Sequence, residues 1–188
     1  MKKLTVSLAL VALFAFAGSA FAQGKMSVGV GFSYNLPQGD FAKKTELDRD
    51  AAIGYGGNFG YMVNDNIQAG LSVGYAKFGG PGSGDVTMMP IMVNGRYFFS
   101  KDKIMPYAGL NVGMTNYNIK FPGVDESKMI LSYGLMLGAC YGINEKIDAD
   151  FGVGYNLVPS DGVKFGDAGK ATWDSPYIGI NLGVSYKF

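Results

Sequence analysis

Large apolar residues alternate with small or polar residues along almost the whole chain after residue 25. In the first such segment, Met26, Val28, Val30, Phe32, Tyr34 and Leu36 share one parity, and Ser27, Gly29, Gly31, Ser33 and Asn35 share the other. A period of two residues predicts a β-strand with one apolar face and one small or polar face. The alternation recurs and predicts eight strands in all, at residues 26–36, 53–63, 67–75, 91–99, 107–114, 131–141, 147–157 and 177–188.

The connections between these strands fall into two length classes. Short polar turns at 64–66, 100–103 and 144–146 follow the second, fourth and sixth strands. Longer connections follow the odd-numbered strands, at 37–51, 79–86, 118–128 and 159–172. Short turns at one end and long loops at the other are typical of an all-β, antiparallel, up-and-down transmembrane barrel. Strands of about ten residues suit a tilted crossing of the bilayer.

The bulky face of these strands is predicted to point outward, into lipid. The opposite face is dominated by Gly, Ser and Asn and has no run of Lys or Glu, as the solvated face of a soluble barrel would. Aromatic residues collect towards the two strand ends, with Tyr34, Tyr55, Tyr75, Tyr133 and Tyr155 near the long loops and Tyr61, Tyr97, Phe99, Tyr141, Tyr186 and Phe188 near the short turns. Two aromatic girdles around an aliphatic belt are what the two interfaces of a bilayer select. A soluble barrel is the alternative that this pattern disfavours.

The first residues have the three-part layout of a secretory signal peptide. Lys2 and Lys3 precede an uncharged apolar stretch at 4–17. Ala20 and Ala22 then place small residues before a cleavage site at Gln23. We therefore expect a cleavable signal peptide at 1–22 and one barrel domain at 23–188.

Composition removes most enzyme classes. The 188 residues contain no histidine, one cysteine (Cys140) and 29 glycines. Without histidine, neither a Ser-His-Asp nor a Cys-His mechanism is available, and zinc cannot be bound through imidazole. A formal net charge of +1 gives no electrostatic basis for binding nucleic acid. The sequence therefore predicts no catalytic residues, no metal site and no cofactor.

The chain at this point resembles the small eight-stranded outer-membrane barrels of Gram-negative bacteria, the OmpA-like and OmpX-like family. The resemblance covers residues 26–188, and its most specific part is the last strand, which ends in Tyr186 and Phe188 after alternate apolar residues. In the family, a terminal phenylalanine of this kind is the signal that the barrel-assembly machinery recognises. The resemblance therefore implies a Gram-negative outer-membrane location, contact with outer-membrane lipid and assembly through Tyr186 and Phe188.

Four charged residues share the inward parity near the short-turn end. They are Arg96 on the fourth strand, Asp148 and Asp150 on the seventh, and Lys187 on the eighth. Unpaired buried charges cost several kcal/mol each, so we predict an internal ion-pair network. A structural role in filling the barrel is the preferred interpretation, and a gate in a narrow conduction path is the alternative.

A second inward set is apolar. Met88, Met92, Ile130 and Met136 lie at lumen positions of the fourth and sixth strands, where they predict either a small apolar pocket for a hydrophobic ligand or simple packing. The remaining place for function is the loop end, where an extracellular ligand would meet 37–51, 79–86, 118–128 and 159–172. The expected function is structural or surface-interacting and not enzymatic. A narrow porin-like pore and a hydrophobic-ligand barrel remain the alternatives.

Overall fold

The computed structural model describes residues 25–42, 49–80, 85–121, 124–159, 163–164, 170–171 and 174–188. The predicted signal peptide, with Ala20, Ala22 and Gln23, lies outside these residues, as do parts of the four long connections. Among the described residues, no helix has the length and apolar character needed to cross a bilayer.

Ten strands and one short helical turn make up the described chain. The strands are β1 (Met26–Pro37), β2 (Ala52–Met62), β3 (Ile67–Phe78), β4 (Asp85–Phe98), β5 (Ile104–Phe121), β6 (Val124–Gly142), β7 (Ile147–Val158), β8 (Val163–Lys164), β9 (Lys170–Ala171) and β10 (Ser175–Lys187). A 3-10 turn, η1 (Gly39–Phe41), follows β1. Strands β8 and β9 pair only with each other, as a small hairpin in the last long connection.

The other eight strands form a closed antiparallel barrel in the order β1-β10-β7-β6-β5-β4-β3-β2. The barrel closes where β10 pairs with β1, from Ser27 opposite Lys187 to Pro37 opposite Tyr177. Each other barrel strand pairs with its neighbours along the chain. Closure leaves no free sheet edge, which is the condition for strands to cross a bilayer. The predicted eight-stranded up-and-down fold is therefore confirmed.

The barrel carries its apolar residues on the outside. Val30, Ile53 and Leu135 are 71%, 73% and 67% exposed. The tyrosines of the long-loop girdle also face outward, and Tyr55 stacks on Tyr75 with ring centroids 5.3 Å apart. In a soluble protein this apolar surface would be exposed to water, which is unfavourable. In an outer membrane, lipid covers it.

Strands β4, β5 and β6 extend furthest beyond their predicted bounds. Strand β4 begins at Asp85, and β5 and β6 contain 18 and 19 residues. The predicted loop at 118–128 is therefore wrong over most of its length, since β5 and β6 stay paired from Asn118 opposite Ser127 to Phe121 opposite Val124. The predicted loop at 79–86 likewise ends earlier, because Val86 pairs with Phe78.

The cause is that, beyond the aromatic girdle at the long-loop end, the apolar residues change from the outward to the inward positions of the strands. We call this a change of phase. On β5, Met114 is the last exposed apolar residue on the outer face, and the next outward positions are Asn116 and Asn118. The inward positions change in the opposite sense, to Tyr117 and Ile119, which are buried. Where the strands extend beyond the lipid, their outer face is exposed to water and their inner side chains pack against one another, as in a soluble barrel. A prediction from sequence that requires apolar residues to stay on the same face of a strand therefore ends the strands at that point.

The β3–β4 ladder is interrupted near the same level. Pairing is present at Val73 opposite Ile91 and again at Ala76 opposite Met88, and it is missing for the two positions between. Pro90 lies in this gap, where it has no backbone N–H to donate. Its ring lies against Gly74, and a Cβ on that glycine would lie 3.3 Å from Pro90 Cγ. Glycine at 74 therefore leaves room for the proline ring.

Candidate functional site

A compact cluster of polar groups surrounds Asp150 at the short-turn end of the lumen. Arg96 Nη1 donates to Asp150 Oδ2 at 2.7 Å, and the Tyr107 hydroxyl donates to Oδ1 at 2.9 Å. The Cys140 thiol donates to Oδ2 at 3.2 Å. The Arg96 guanidinium also lies over the Tyr107 ring, 4.6 Å from its centroid. Asp150 thus accepts from three neighbouring strands, which gives its buried charge a full set of partners.

A second ion pair lies beside the closing strand. Lys187 Nζ on β10 is 2.7 Å from Asp148 Oδ1 on β7. The structure therefore arranges the four predicted charges as two separate pairs, Arg96 with Asp150 and Lys187 with Asp148. Their side chains are 19% and 16% exposed in the first pair, and 31% and 10% in the second. We name these four residues the charged floor.

The short turns form a rim below the charged floor. Lys101 Nζ lies 2.7 Å from Asp65 Oδ2, which joins the turn after β2 to the turn after β4. This hydrogen bond and the lysine charge lower the pKa of Asp65 from its ordinary value. Both side chains are exposed, so the pair orders the rim and adds little to stability.

Above the charged floor, asparagine side chains surround a cavity of about 470 Å³. They form what we call the amide belt: Asn35, Asn58, Asn94, Asn111, Asn156 and Asn181. Asn111 donates to Asn156 at 3.4 Å, and Asn94 accepts from Ser72 at 3.4 Å. The cavity extends from the rim at Lys25, Asp65 and Lys101 up to Ala76 and Met88.

An apolar plug closes the long-loop end of the lumen. Its members share near-complete burial and inward positions, apart from Phe41, which comes from η1: Phe41, Ala52, Ala76, Phe78, Val86, Met88, Tyr117, Ile119, Ile130 and Val158. Phe41 is fully buried, and its ring packs edge-on against Phe78 with centroids 5.0 Å apart.

Backbone contacts hold the plug segment across the barrel mouth. Gln38 donates its backbone N–H to Pro176 O at 2.8 Å, and Arg49 donates its backbone N–H to Phe41 O at 3.2 Å. Gly39 has φ +53°, a left-handed conformation that glycine adopts without steric cost, and it turns the chain inward. The connection after β1 is therefore folded into the mouth at this point.

Three of the four residues of the predicted apolar pocket, Met88, Met92 and Met136, line the cavity. Met88 and Ile130 belong to the plug, and Met92 lines the cavity beneath it. Met136 packs instead near the charged floor, against a small cluster of Phe98, Tyr107 and Cys140. Methionine at these positions fills space between barrel walls of uneven width.

Sequence reasoning did not single out Phe41, Tyr107 or the amide belt. The inward parity of the asparagines was visible, and their recurrence on six strands is the signal that points to the belt. Tyr107 also has inward parity, but an aromatic residue there is indistinguishable by pattern from packing. Phe41 lies in a connection without periodicity, so no sequence signal assigns it to the lumen.

The lumen offers binding groups and little chemistry. Within the described ranges, no three His, Cys, Asp or Glu side chains lie close enough together to hold a metal ion. Asp150 is committed to Arg96, Tyr107 and Cys140, which leaves it poorly placed to act as a general base.

The last strand places Tyr186 and Phe188 on the short-turn girdle. Their rings are 5.1 Å apart, and the Phe188 N–H donates to Met26 O at 2.9 Å. Tyr186 lies opposite Val28 on β1 and Ile147 on β7. The two aromatic residues therefore lie next to the strand that closes the barrel.

Comparison with solved structures finds small outer-membrane barrels. Neisserial surface protein A matches with a TM-score of 0.67 at 18% identity, over 88% of this chain and 98% of that one. Ail, the attachment invasion locus protein of Yersinia pestis, matches with 0.57 at 17% identity, over 88% and 99%. The E. coli outer membrane protein W matches with 0.56 at 21% identity, over 88% and 98%.

At these identities the likeness concerns the fold. No curated protein is close enough in sequence to count as a relative. The family model of the outer membrane protein beta-barrel domain matches residues 7–188, which is nearly the whole chain. The lipid-facing exterior, the closed eight-stranded barrel and this match agree, and the chain belongs to the outer-membrane β-barrel domain family of Gram-negative bacteria.

Proposed function

We propose that this protein is a non-catalytic outer-membrane barrel that acts as a structural element of the envelope and as a surface for interactions at its loop end. The observation that carries the proposal is the apolar plug. Phe41 and Phe78 are fully buried in the plug at the long-loop end, which supports a lumen closed towards the cell exterior. Function directed outward then depends on the loops and the strand extensions.

The strand extensions supply a polar outer surface for this role. Beyond the girdle, the outward positions of β3 to β6 include Lys77, Asp85, Asn116 and Ser127. Lys77 and Asp85 form an ion pair at 2.6 Å, and Ser127 donates to Asn116 at 2.8 Å. Paired strands hold these groups in fixed positions, which favours recognition by a partner. Ail, which shares the fold, is named the attachment invasion locus protein, and this name supports a surface role without identifying a partner.

The two alternatives from the sequence have less support. A narrow pore requires a continuous path, which the plug interrupts, and an eight-stranded barrel is only wide enough for its own side chains and small cavities. For a hydrophobic ligand, Met88, Met92 and Met136 line the same cavity as the six asparagines of the amide belt, and this polar lining favours a hydrogen-bonding occupant over an apolar one.

Export and assembly complete the proposal. We expect cleavage after Ala22 to release a barrel that begins at Gln23. We also expect the barrel-assembly machinery to recognise the Tyr186 and Phe188 end of β10. In the membrane the short turns face the periplasm and the long loops face outward, as in other barrels of this type.

Planar-bilayer recording and a deletion strain test the proposal together. We expect the purified barrel to insert without stable conductance steps. In the deletion strain, we expect increased detergent sensitivity, restored by wild-type protein. Reproducible conductance steps of one size would overturn the closed-barrel assignment. An unchanged envelope in the deletion strain would overturn the structural role.

A variant separates the surface role from the structural one. Lys77→Ala with Asp85→Ala removes the outer ion pair and leaves the lumen unaltered. We expect this variant to restore detergent resistance but to reduce adhesion of the cells to a host-cell layer. If adhesion is equal in the wild type, the deletion strain and the variant, the surface role is wrong.

A further inference from the structure

We propose that the lumen is a one-ended binding site for a small neutral polyhydroxyl solute, which enters from the periplasm and is held by the amide belt. The cavity of about 470 Å³ lies within the range of ligand pockets, about 300–1,000 Å³. The inference goes beyond the surface role and does not depend on it.

The chemistry of the belt selects the solute class. Each asparagine amide both donates and accepts hydrogen bonds, as hydroxyl groups also do. The side chain of Asn58 makes no hydrogen bond to another described residue, although it lines the cavity. The side-chain oxygen of Asn111 is buried and has no hydrogen-bond partner among the described residues, and an apolar occupant would leave it unpaired at a cost of about 1–3 kcal/mol.

The charged floor disfavours ionic solutes. The four charges of the floor are already paired with one another at 2.7 Å, so none of them is free to act as the counter-ion of a solute beside the amide belt. A charged solute would give up its hydration without compensation. The neutral class therefore follows from the pairing of Arg96 and Lys187 as much as from the asparagines.

The direction of access follows from the two ends of the cavity. Its lining includes Lys25, Asp65 and Lys101 at the short-turn rim. At the other end it stops beneath the plug, where Met88 is 1% exposed and Phe78 is fully buried. The short turns face the periplasm, so a solute reaches the amide belt from that side.

The binding test uses methyl α-glucoside as the neutral probe and gluconate as the anionic one. Side-chain amide signals of the full barrel in nanodiscs are followed by NMR during each titration. We expect saturable shifts of the Asn58 and Asn94 amides with methyl α-glucoside and none with gluconate. No saturable shift with the neutral probe, or equal binding of gluconate, would overturn the proposal.

Two variants separate this site from nonspecific binding. Asn58→Ala removes one amide and makes no new clash, and we expect it to weaken binding about tenfold, as the loss of hydrogen bonds predicts. Asn116→Ala is the matched control on the outer surface of β5, and binding should be unchanged. Equal affinity in both variants would show that the amide belt is not the site.

A labelling experiment tests the direction of access independently. Asn58→Cys in a Cys140→Ser background places one thiol in the cavity, in vesicles whose barrels share one orientation. A membrane-impermeant thiol reagent should react when added on the short-turn side and not when added on the loop side. Reaction from the loop side would overturn the one-ended site even if the sugar binds.

Discussion

Among single residues, Asp150 is the acceptor at the centre of the polar cluster at the short-turn end of the lumen. It accepts hydrogen bonds from Arg96, Tyr107 and Cys140, which come from three strands. Asp148 has Lys187 as its ion-pair partner, and the side chain of that lysine is about a third exposed at the short-turn end. The two acidic residues are close in sequence and share a face of β7, yet their surroundings differ in access to water.

This difference predicts unequal effects of the same substitution. Asp150→Asn leaves the Arg96 guanidinium buried without a counter-charge, and we expect the free energy of unfolding to fall by about 3 kcal/mol. Asp148→Asn should cost about 1 kcal/mol, because Lys187 can turn to water. Urea unfolding in lipid vesicles measures both. An equal decrease in the free energy of unfolding for the two variants would mean that the exposure of the basic partner does not determine the effect.

At this scale, sequence parity predicted which charges face the lumen, and it could not predict their pairing. Side chains on alternate residues of a strand share a face, which placed Arg96, Asp148, Asp150 and Lys187 inside. Which acid meets which base depends on strand stagger, and stagger is a property of the closed barrel. The two further partners of Asp150, Tyr107 and Cys140, follow only from that stagger.

At the scale of the strands, the outer interface of the membrane falls within β4, β5 and β6. Below it, the apolar residues point outward, and above it they point into the plug. The alternation of the sequence continues across this level and only its phase changes. The sequence therefore predicted the number and order of the strands, but it did not predict how far three of them extend beyond the lipid.

Two adjacent residues of β4 test the change of phase. Val86 is fully buried in the plug, whereas Thr87 lies on the outer face of the strand extension. Val86→Asn buries an amide among apolar side chains, and we expect it to lower the free energy of unfolding by about 2–4 kcal/mol. Thr87→Asn should change it by less than about 0.5 kcal/mol.

Urea unfolding of both variants gives the comparison, with heat-modifiable gel migration to verify that each barrel has folded. If the apolar residues of β4 instead stayed on the outer face along the whole strand, substitution of Thr87 would lower the free energy of unfolding more than substitution of Val86. A larger loss for Thr87→Asn than for Val86→Asn would contradict the assignment of the inner face.

At the scale of the whole molecule, the barrel has three levels with different chemistry along its axis. The charged floor lies at the short-turn end, the amide belt surrounds the cavity, and the apolar plug lies at the long-loop end. Glycine recurs at the inward positions of the wall, and at Gly31 and Gly56 an added Cβ would lie 2.6 Å and 2.5 Å from a backbone oxygen of the next strand. The barrel wall thus has no room for side chains at these points, and asparagines from other positions surround the cavity instead.

The plug predicts how the lumen would become open to the exterior. Phe41 reaches the mouth from a connecting segment, so its removal leaves the strand pairing of the barrel intact. In the Asn58→Cys, Cys140→Ser background, we expect Phe41→Ala to let an impermeant thiol reagent reach residue 58 from the loop side. The same substitution at Phe32, which is 69% exposed on the lipid-facing surface, should leave the thiol protected. Both variants lose one phenyl ring, so reaction of the thiol only in the Phe41→Ala variant assigns closure of the lumen to Phe41. Protection of the thiol in both variants would mean that the plug residues on the strands close the lumen without Phe41.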